Sequence, residues 1–230
     1  MYHKLIIITE NHPRDGFWKC YHRLRNQVEQ VNHKQLHRVY KEAGLSLRRK
    51  SKKRKITRIK ESLEIPKTFG KSWSMDFMSD VLENGRKIQI FNIIDDFNRE
   101  VLHIESDSSI KSSRLVWILK RLVNRDGAPD KIRMDNGPEF ISKLIKTWSL
   151  VNKIKFCYIQ PGKPTQDSLI ERFNKSFREG ILDANLFSNL DQVREITDNW
   201  VNDYNNFLLD DALKGTSPVN YRIKNEITSL

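Results

Sequence analysis

Cysteine and long apolar runs are what this 230-residue sequence has least of. Two cysteines, Cys20 and Cys157, are too few for the disulfide framework of a small secreted protein. The longest early apolar stretch, Leu5 to Ile8, is far shorter than the roughly 18 residues that cross a bilayer and too short for a signal-peptide core. Because 38% of the residues are hydrophobic and 10% aromatic, the chain can still build a core. We therefore expect a soluble, intracellular, globular protein.

Acidic residues are scarce in the first quarter of the chain. Residues 1–60 hold 17 Lys and Arg against 4 Asp and Glu, whereas residues 61–230 hold 24 against 25, so the whole net charge of +12 arises before residue 61. The cations are densest from Arg48 to Lys60, where nine of thirteen residues are basic. A block of one sign favours binding to a polyanion such as nucleic acid. A solvated linker whose charge only aids solubility is the alternative.

Two short helices are predicted ahead of this basic block. Apolar residues recur at helical spacing in Phe17, Tyr21, Leu24 and Val28. A second helix is expected to begin after Asn32 as its N-cap and to end at Gly44. Two helices followed by cations are typical of a helix-turn-helix-like DNA-binding unit. We assign residues 1–47 to this unit and residues 48–67 to a basic linker.

From Ser72 onward the sequence period changes to that of strands. Three strands are predicted as a meander, over residues 73–78, 87–94 and 101–106. Two more strands and four helices follow, with strands at 130–134 and 155–159 and helices at 112–124, 144–151, 165–182 and 191–207. This order predicts an α/β fold, a mixed five-stranded sheet flanked by helices, over residues 68–225.

Three acidic residues are candidates for a shared site. Asp76 falls in the middle of a predicted strand, where an acid is a poor sheet residue; Asp135 begins a tight turn directly after a strand; Glu171 lies on a helix. If the first and fourth strands are neighbours, the three side chains converge at one rim of the sheet. Asp135 is also a good turn former before Asn-Gly, and Glu171 is equally consistent with an ordinary exposed helix residue.

Such a rim of carboxylates requires a counter-charge, which Mg²⁺ supplies while taking oxygen ligands. Two such ions about 3.5–4 Å apart would hold the attacking and leaving oxygens of a phosphodiester displacement. Asn174, Lys175 and Arg178 share a helix face with Glu171, away from the buried side, and suit phosphate contacts beside a metal ligand. A simple Glu171–Lys175 ion pair at i, i+4 is the plainer interpretation.

Three segments carry a resemblance to a known family: residues 73–77 (WSMDF), 135–140 (DNGPEF) and 161–174 (PGKPTQDSLIERFN). They closely resemble the second-frame (OrfB-type) transposases of bacterial insertion sequences, which have a retroviral-integrase-like catalytic core. Residues 32–40 (NHKQLHRVY) resemble the helical region that precedes this core, so the resemblance covers nearly the whole chain. It maps the acidic triad of the family onto Asp76, Asp135 and Glu171, with 35 residues between the last two.

The resemblance implies an RNase H-like core that uses Mg²⁺ or Mn²⁺, with two ions expected. It implies strand cleavage by water at the end of the element, followed by attack of the freed 3′-hydroxyl on another phosphodiester. The DNA near the scissile phosphate would be contacted by Gln166, Lys175 and Arg178. The basic linker adds further candidate DNA contacts, namely Arg48, Arg49, Lys50, Lys52, Lys53, Arg54 and Lys55.

The same resemblance implies several partners. DNA would be bound both as element ends and as target, and specific recognition of the ends would come from the first-frame product. Further copies of this chain would join a homo-multimer on DNA. No membrane is involved, and the expected location is the bacterial cytoplasm, in association with the nucleoid.

The chain departs from the family near its end. The usual Arg-Pro-His is replaced by Leu208-Leu209-Asp210, so we expect the local DNA or helix contacts to differ. The chain also starts almost at the helical segment, without the upstream region that such proteins often carry. The alternative to an active transposase is therefore a truncated, catalytically silent copy that acts as a DNA-binding regulator. A plain RNase H-like nuclease would share the site but would not need the basic helical unit.

Zinc is a weaker possibility for the first helices. Five of the six histidines lie in the first 37 residues, and His33 and His37 have the spacing of half a zinc site. The sequence lacks the second half, because Cys20 is the only nearby thiol and no Cys-x₂-Cys follows. Histidines on the surface of basic helices, or in contact with the backbone, are the preferred interpretation.

Overall fold

A mixed five-stranded sheet lies at the centre of the computed structural model, which describes residues 2–13, 15–26, 31–47, 65–159 and 168–228. Its strands are β1 (Ser72–Val81), β2 (Lys87–Asp95), β3 (Val101–Asp107), β4 (Lys131–Met134) and β5 (Lys155–Tyr158). Across the sheet the order is β3-β2-β1-β4-β5. The first three strands are antiparallel, and β1, β4 and β5 are parallel. The predicted meander and the mixed sheet are confirmed.

Helices cover both faces of this sheet. They are α4 (Ser112–Asp126), α5 (Lys143–Val151), α6 (Ser168–Phe177), α7 (Leu190–Asn206) and α8 (Pro218–Thr228). In β2, Phe91 and Ile93 pack in the cluster that contains α4 and α5, while Ile90 and Ile94 pack in the cluster that contains α6 and α7. The strand is apolar on both faces because both are buried. None of the helices in the described ranges is long and apolar enough to cross a membrane.

Three further helices, α1 (Tyr2–Asn11), α2 (Phe17–Asn26) and α3 (His33–Glu42), form a separate N-terminal unit with its own apolar core. The side chain of Asn32 accepts a hydrogen bond from the Lys34 N–H at 2.9 Å, so α3 begins at the predicted cap. The predicted second helix is therefore confirmed. The first of the three was missed, since the continuous apolar run in its sequence lacks an amphipathic period. Val28 lies outside the described residues.

The long helix predicted over residues 165–182 changes type along its length. Within the described residues it is α-helical in α6, and Arg178–Leu182 form a π-helical turn; residues 160–167 are outside the described ranges. A Cβ at Gly180 would lie 3.0 Å from Nε1 of Trp200, so the missing side chain lets α7 pack closely on this turn. Helix α8, at the end of the core, was also missed.

Candidate active site

The sheet register brings the two predicted aspartates side by side. Strands β1 and β4 are parallel neighbours with Ser74 opposite Arg133, and Asp76 and Asp135 each follow two residues later. Asp76 lies within β1 and Asp135 directly after β4, at the carboxyl end of that strand. Glu171 stands in the first turn of α6, which packs on β1 and β2. The expected neighbourhood of the first and fourth strands is therefore confirmed.

The electrostatics of Asp76 include the charges of the other two acids. Burial is the main cause that raises the pKa of Asp76 to about 6, and the negative charges of Asp135 and Glu171 raise it further. Hydrogen bonds from the Phe77 N–H and from Asn174 oppose that rise. Asp135 and Glu171 themselves are exposed. A cation at this rim would relieve the repulsion among three carboxylates.

The carboxylates do not converge tightly as they stand. Among the residues that the structure describes, no group of three or more His, Cys, Asp or Glu side chains is arranged to hold a metal ion. In the turn after β4, Asp135 Oδ1 accepts a hydrogen bond from the Gly137 N–H at 2.9 Å. A 3.1 Å hydrogen bond from the Asn136 side chain to the carbonyl of Ile159, directly after β5, holds that turn.

Asn174 does not share the exposed face of α6 that the sequence suggested. It is 9% exposed, and its Nδ2 donates to Asp76 Oδ2 at 2.7 Å. Its Oδ1 accepts from Nδ2 of Asn92, on β2, also at 2.7 Å. Asn92 was missed by sequence reasoning; the available signal was a polar residue in the middle of the apolar strand 88–94. Together the two amides connect the strand of Asp76 with the helix of Glu171.

The predicted DNA-binding residues of α6 and its π-helical extension differ in their surroundings. Lys175 is exposed, and its ammonium group lies 4.0 Å from Glu179. Arg178 is bound to the protein itself, since its guanidinium donates to the Ser79 carbonyl at 2.8 Å and lies 3.8 Å from Asp80. Gln166 and the seven predicted contacts between residues 48 and 55 lie outside the described ranges.

The adjacent acids Asp95 and Asp96 have structural partners. Asp96 is fully buried and accepts hydrogen bonds from the hydroxyls of Ser72 and Ser74, both at 2.5 Å. Asp95 accepts from the Gly70 and Phe97 N–H groups at 2.8 Å, and burial raises its pKa to about 7. These contacts anchor the start of β1 and the turn after β2, so the two acids have a structural role here.

The segment that departs from the family forms a defined turn. Asp210 forms an ion pair with Arg99, in the turn between β2 and β3. Its other oxygen accepts from the Ala212 N–H at 2.9 Å and caps the short 3₁₀ helix Asp211–Leu213. The acid that replaces a basic residue of the family thus has a partner within the core.

The N-terminal histidines contact aromatic rings. His33 stacks on Trp18 with ring centroids 5.9 Å apart, and His37 meets the face or edge of Phe17 at 4.6 Å. Burial, together with the nearby charge of Arg25, lowers the pKa of His22 beside them. His33 is exposed, as expected of a histidine on the surface of a helix, whereas His37 is half-buried against Phe17.

The fold defines a class of protein. A chain of the simian T-cell lymphotropic virus intasome in complex with PP2A regulatory subunit B56 gamma superposes with a TM-score of 0.60 at 15% identity, over 91% of this chain and 71% of that one. The catalytic core of HTLV-2 integrase, in a magnesium complex, superposes at 0.55 and 18% identity, over 67% and 97%. The core therefore has the RNase H-like fold of retroviral integrases, as predicted.

Sequence comparison then gives the family. Integrase core domain families match residues 68–164 and 152–218. The 31.7 kDa protein of insertion element IS407 from Burkholderia multivorans is 32% identical over 98% of this chain and 82% of its own length. A protein of IS476 from Xanthomonas euvesicatoria is 35% identical over 88% of this chain, which spans 58% of that protein. The chain belongs to the transposases of insertion sequences that carry an integrase core domain.

Proposed function

We propose that this transposase is of the DDE type, with Asp76, Asp135 and Glu171 as its catalytic acids. The observation that carries the proposal is the electrostatic contact at the sheet rim, where Asp135 and Glu171 both raise the pKa of the half-buried Asp76. The three carboxylates lie on one strand, directly after a neighbouring strand and in the first turn of one helix, and two of them act electrostatically on the third. Such an arrangement costs free energy in the absence of a cation and suits one in its presence.

The proposed cation is Mg²⁺ or Mn²⁺, with two ions in the active complex. The donor set consists of carboxylate oxygens, which hard divalent cations prefer. HTLV-2 integrase, whose core has the same fold, has been determined in complex with magnesium. The metal would supply Lewis-acid stabilisation of the phosphodiester oxygens during cleavage and strand transfer. Asp76, Asp135 and Glu171 would hold it.

The chain's own residues would position the DNA. Lys175 stands one turn after Glu171 with its ammonium group in solvent, where it suits a phosphate beside the acids. Arg178 would reach DNA only by releasing the Ser79 carbonyl, so we assign it a smaller part in DNA binding than Lys175. Gln166 and the basic residues 48–55 complete the proposed DNA contacts, and their part rests on the sequence alone.

The proposed assembly has several members. DNA is bound as element ends and as target, and the first-frame product supplies recognition of the ends. Related integrases are described as an intasome and as trimeric and dimeric catalytic cores, which supports a multimer here. We keep the division into a DNA-binding unit (1–47), a basic linker (48–67) and a catalytic core (68–225) as part of this proposal.

The test is cleavage and joining of DNA that carries the ends of the element. Wild type would be compared with Asp76→Asn, Asp135→Asn and Glu171→Gln in Mg²⁺ or Mn²⁺, with the first-frame product supplied. We expect metal-dependent products from wild type and their loss in each variant while DNA binding persists. Asp80→Asn, on the same strand, is the matched control and should keep activity. Binding without products from any protein, wild type included, would instead support the silent regulator.

A further inference from the structure

The amide of Asn92 is an unusual presence in its strand. Residues 88, 90 and 94 of β2 alternate onto the face that packs against α6 and α7, and all three are buried isoleucines. Asn92 occupies the remaining position of that face and is 0% exposed. Its Oδ1 is buried and has no hydrogen-bond partner among the described residues. Because an unpaired buried acceptor costs free energy, an apolar residue would serve the core better.

What the amide does provide is a donor aimed at the acidic rim. Asn92 lies directly opposite Asp76 in the β1–β2 register, so both side chains leave the sheet on the same face. Its Nδ2 donates to Asn174 Oδ1 at 2.7 Å, and Asn174 Nδ2 donates to Asp76 Oδ2 at 2.7 Å. The other oxygen of Asp76, Oδ1, accepts a hydrogen bond from the Phe77 N–H at 2.8 Å.

The chemistry of these groups fixes the direction of the hydrogen bonds that run from Asn92 through Asn174 to Asp76. An ionised carboxylate only accepts hydrogen bonds, so Asn174 must turn its NH₂ toward Asp76 and its oxygen toward Asn92. Asn92 must then donate, which leaves its own oxygen unpaired. One bond to each oxygen of Asp76 fixes the plane of the carboxylate and leaves lone pairs on both oxygens free. Asn174 follows Glu171 by three residues on α6. The same hydrogen bonds therefore also hold the turn that carries Glu171 against the strand of Asp76.

We propose that Asn92 is a positioning residue, which through Asn174 sets the orientation of Asp76 for metal binding. The proposal rests on the metal site of the proposed function and adds a buried residue that does not itself touch the metal. Residues of this kind orient metal ligands, and their loss commonly weakens metal affinity at least about tenfold. A merely structural role would lower stability and leave metal affinity unchanged.

The probe is Mn²⁺ alone, with the free ion followed by electron paramagnetic resonance in the full chain without DNA. Wild type should bind Mn²⁺, and Asp76→Asn should lose that site. Asn92→Leu keeps the size of the side chain but removes the donor, and should raise the Kd for Mn²⁺ about tenfold. The double variant Asn92→Leu/Asn174→Leu should bind no more weakly than Asn174→Leu alone, because Asn92 acts through Asn174.

Asn205→Leu is the matched control. Asn205 also ties a helix to the sheet, donating to the Val101 carbonyl at 3.0 Å and accepting from its N–H at 2.9 Å, but on β3, away from the acids. Asn205→Leu should lower the melting temperature and leave the Kd for Mn²⁺ unchanged. If Asn92→Leu fails to fold, Asn92→Ala removes the same donor and takes its place. If wild type binds Mn²⁺ through Asp76 and the Asn92 variant has the same Kd, the positioning role of Asn92 is overturned but the metal site stands. If wild type shows no Mn²⁺ binding that depends on Asp76, the metal site and the role of Asn92 are overturned together.

Discussion

The guanidinium of Arg23 on α2 makes two parallel hydrogen bonds to the carboxylate of Asp203 on α7, at 2.8 and 2.7 Å. Its Nε donates to Asp15 Oδ2 at 2.8 Å, so one cation joins two acids. Although burial disfavours the charge of Arg23, the hydrogen bonds from its guanidinium to Asp203 and the charge of Asp15 raise its pKa. This contact fastens the N-terminal helical unit to the catalytic core.

Arg23→Ala should lower the free energy of unfolding by about 2–4 kcal/mol, because it leaves Asp15 buried without its main partner. Chemical denaturation of the full chain measures the change. Lys19→Ala is the control, since the ammonium group of Lys19 lies 3.6 Å from Asp15 but its side chain is 44% exposed, and it should cost about 0.5 kcal/mol or less. Equal losses in the two variants would contradict the assigned role of Arg23.

Asp76 should make the metal-free protein less stable as pH rises. Its pKa is about 6 in the folded protein against an ordinary value of 3.8, so the folded state holds the proton more tightly than the unfolded chain. The stability present at low pH is therefore lost between about pH 3.8 and 6. In EDTA, the free energy of unfolding of Asp76→Asn should rise relative to that of wild type as pH increases through this window, by up to about 3 kcal/mol. Thermal unfolding at pH 4 and 7 measures this change, and an unchanged difference between the two proteins would show that folding does not raise the pKa of Asp76.

Gly137→Ala should reduce metal-dependent cleavage with little loss of stability. An added Cβ would lie 3.0 Å from Asp135 Oδ1 and 3.5 Å from the ring of Phe140, so the carboxylate has to move. Strand cleavage on element-end DNA, compared at several Mg²⁺ concentrations, measures the effect. Gly16→Ala is the control, because its new Cβ meets only an ordinary contact, 3.8 Å from Leu47. Full activity in Gly137→Ala would mean that Asp135 works in a position other than the one seen here.

Asp210→Ala should destabilise the core by about 1–3 kcal/mol, because it removes the partner of Arg99 and the cap of the short 3₁₀ helix. The neighbouring Asp211→Ala should cost less than about 0.5 kcal/mol, as Asp211 is exposed. Thermal unfolding of the two variants distinguishes them. Should Asp210→Ala prove neutral, the Leu208–Asp210 turn would have no structural part in this core.

Much of the fold was predictable from local pattern. The period-2 strands, the caps of α3 and the amphipathic face of α4 are set by neighbouring residues, and the structure has them within a few residues of their predicted bounds. Helix α1 was missed because its apolar residues form a run without a helical period. The change from α-helix to π-helix at Arg178 was also missed; in this turn Gly180 packs closely against Trp200, which is distant in sequence.

The sequence by itself determined which residues are candidates for the proposed reaction. The acids Asp76, Asp135 and Glu171, their strand, turn and helix settings and the basic block before the core could all be read from it, and so could the family. Only the tertiary structure decided which amides surround Asp76, that Asn174 is buried and that Arg178 is bound to Ser79. The physical reason is that residue type and local period specify backbone conformation, whereas hydrogen-bond partners across 82 or 98 residues exist only once the sheet register and the packing of α6 are set.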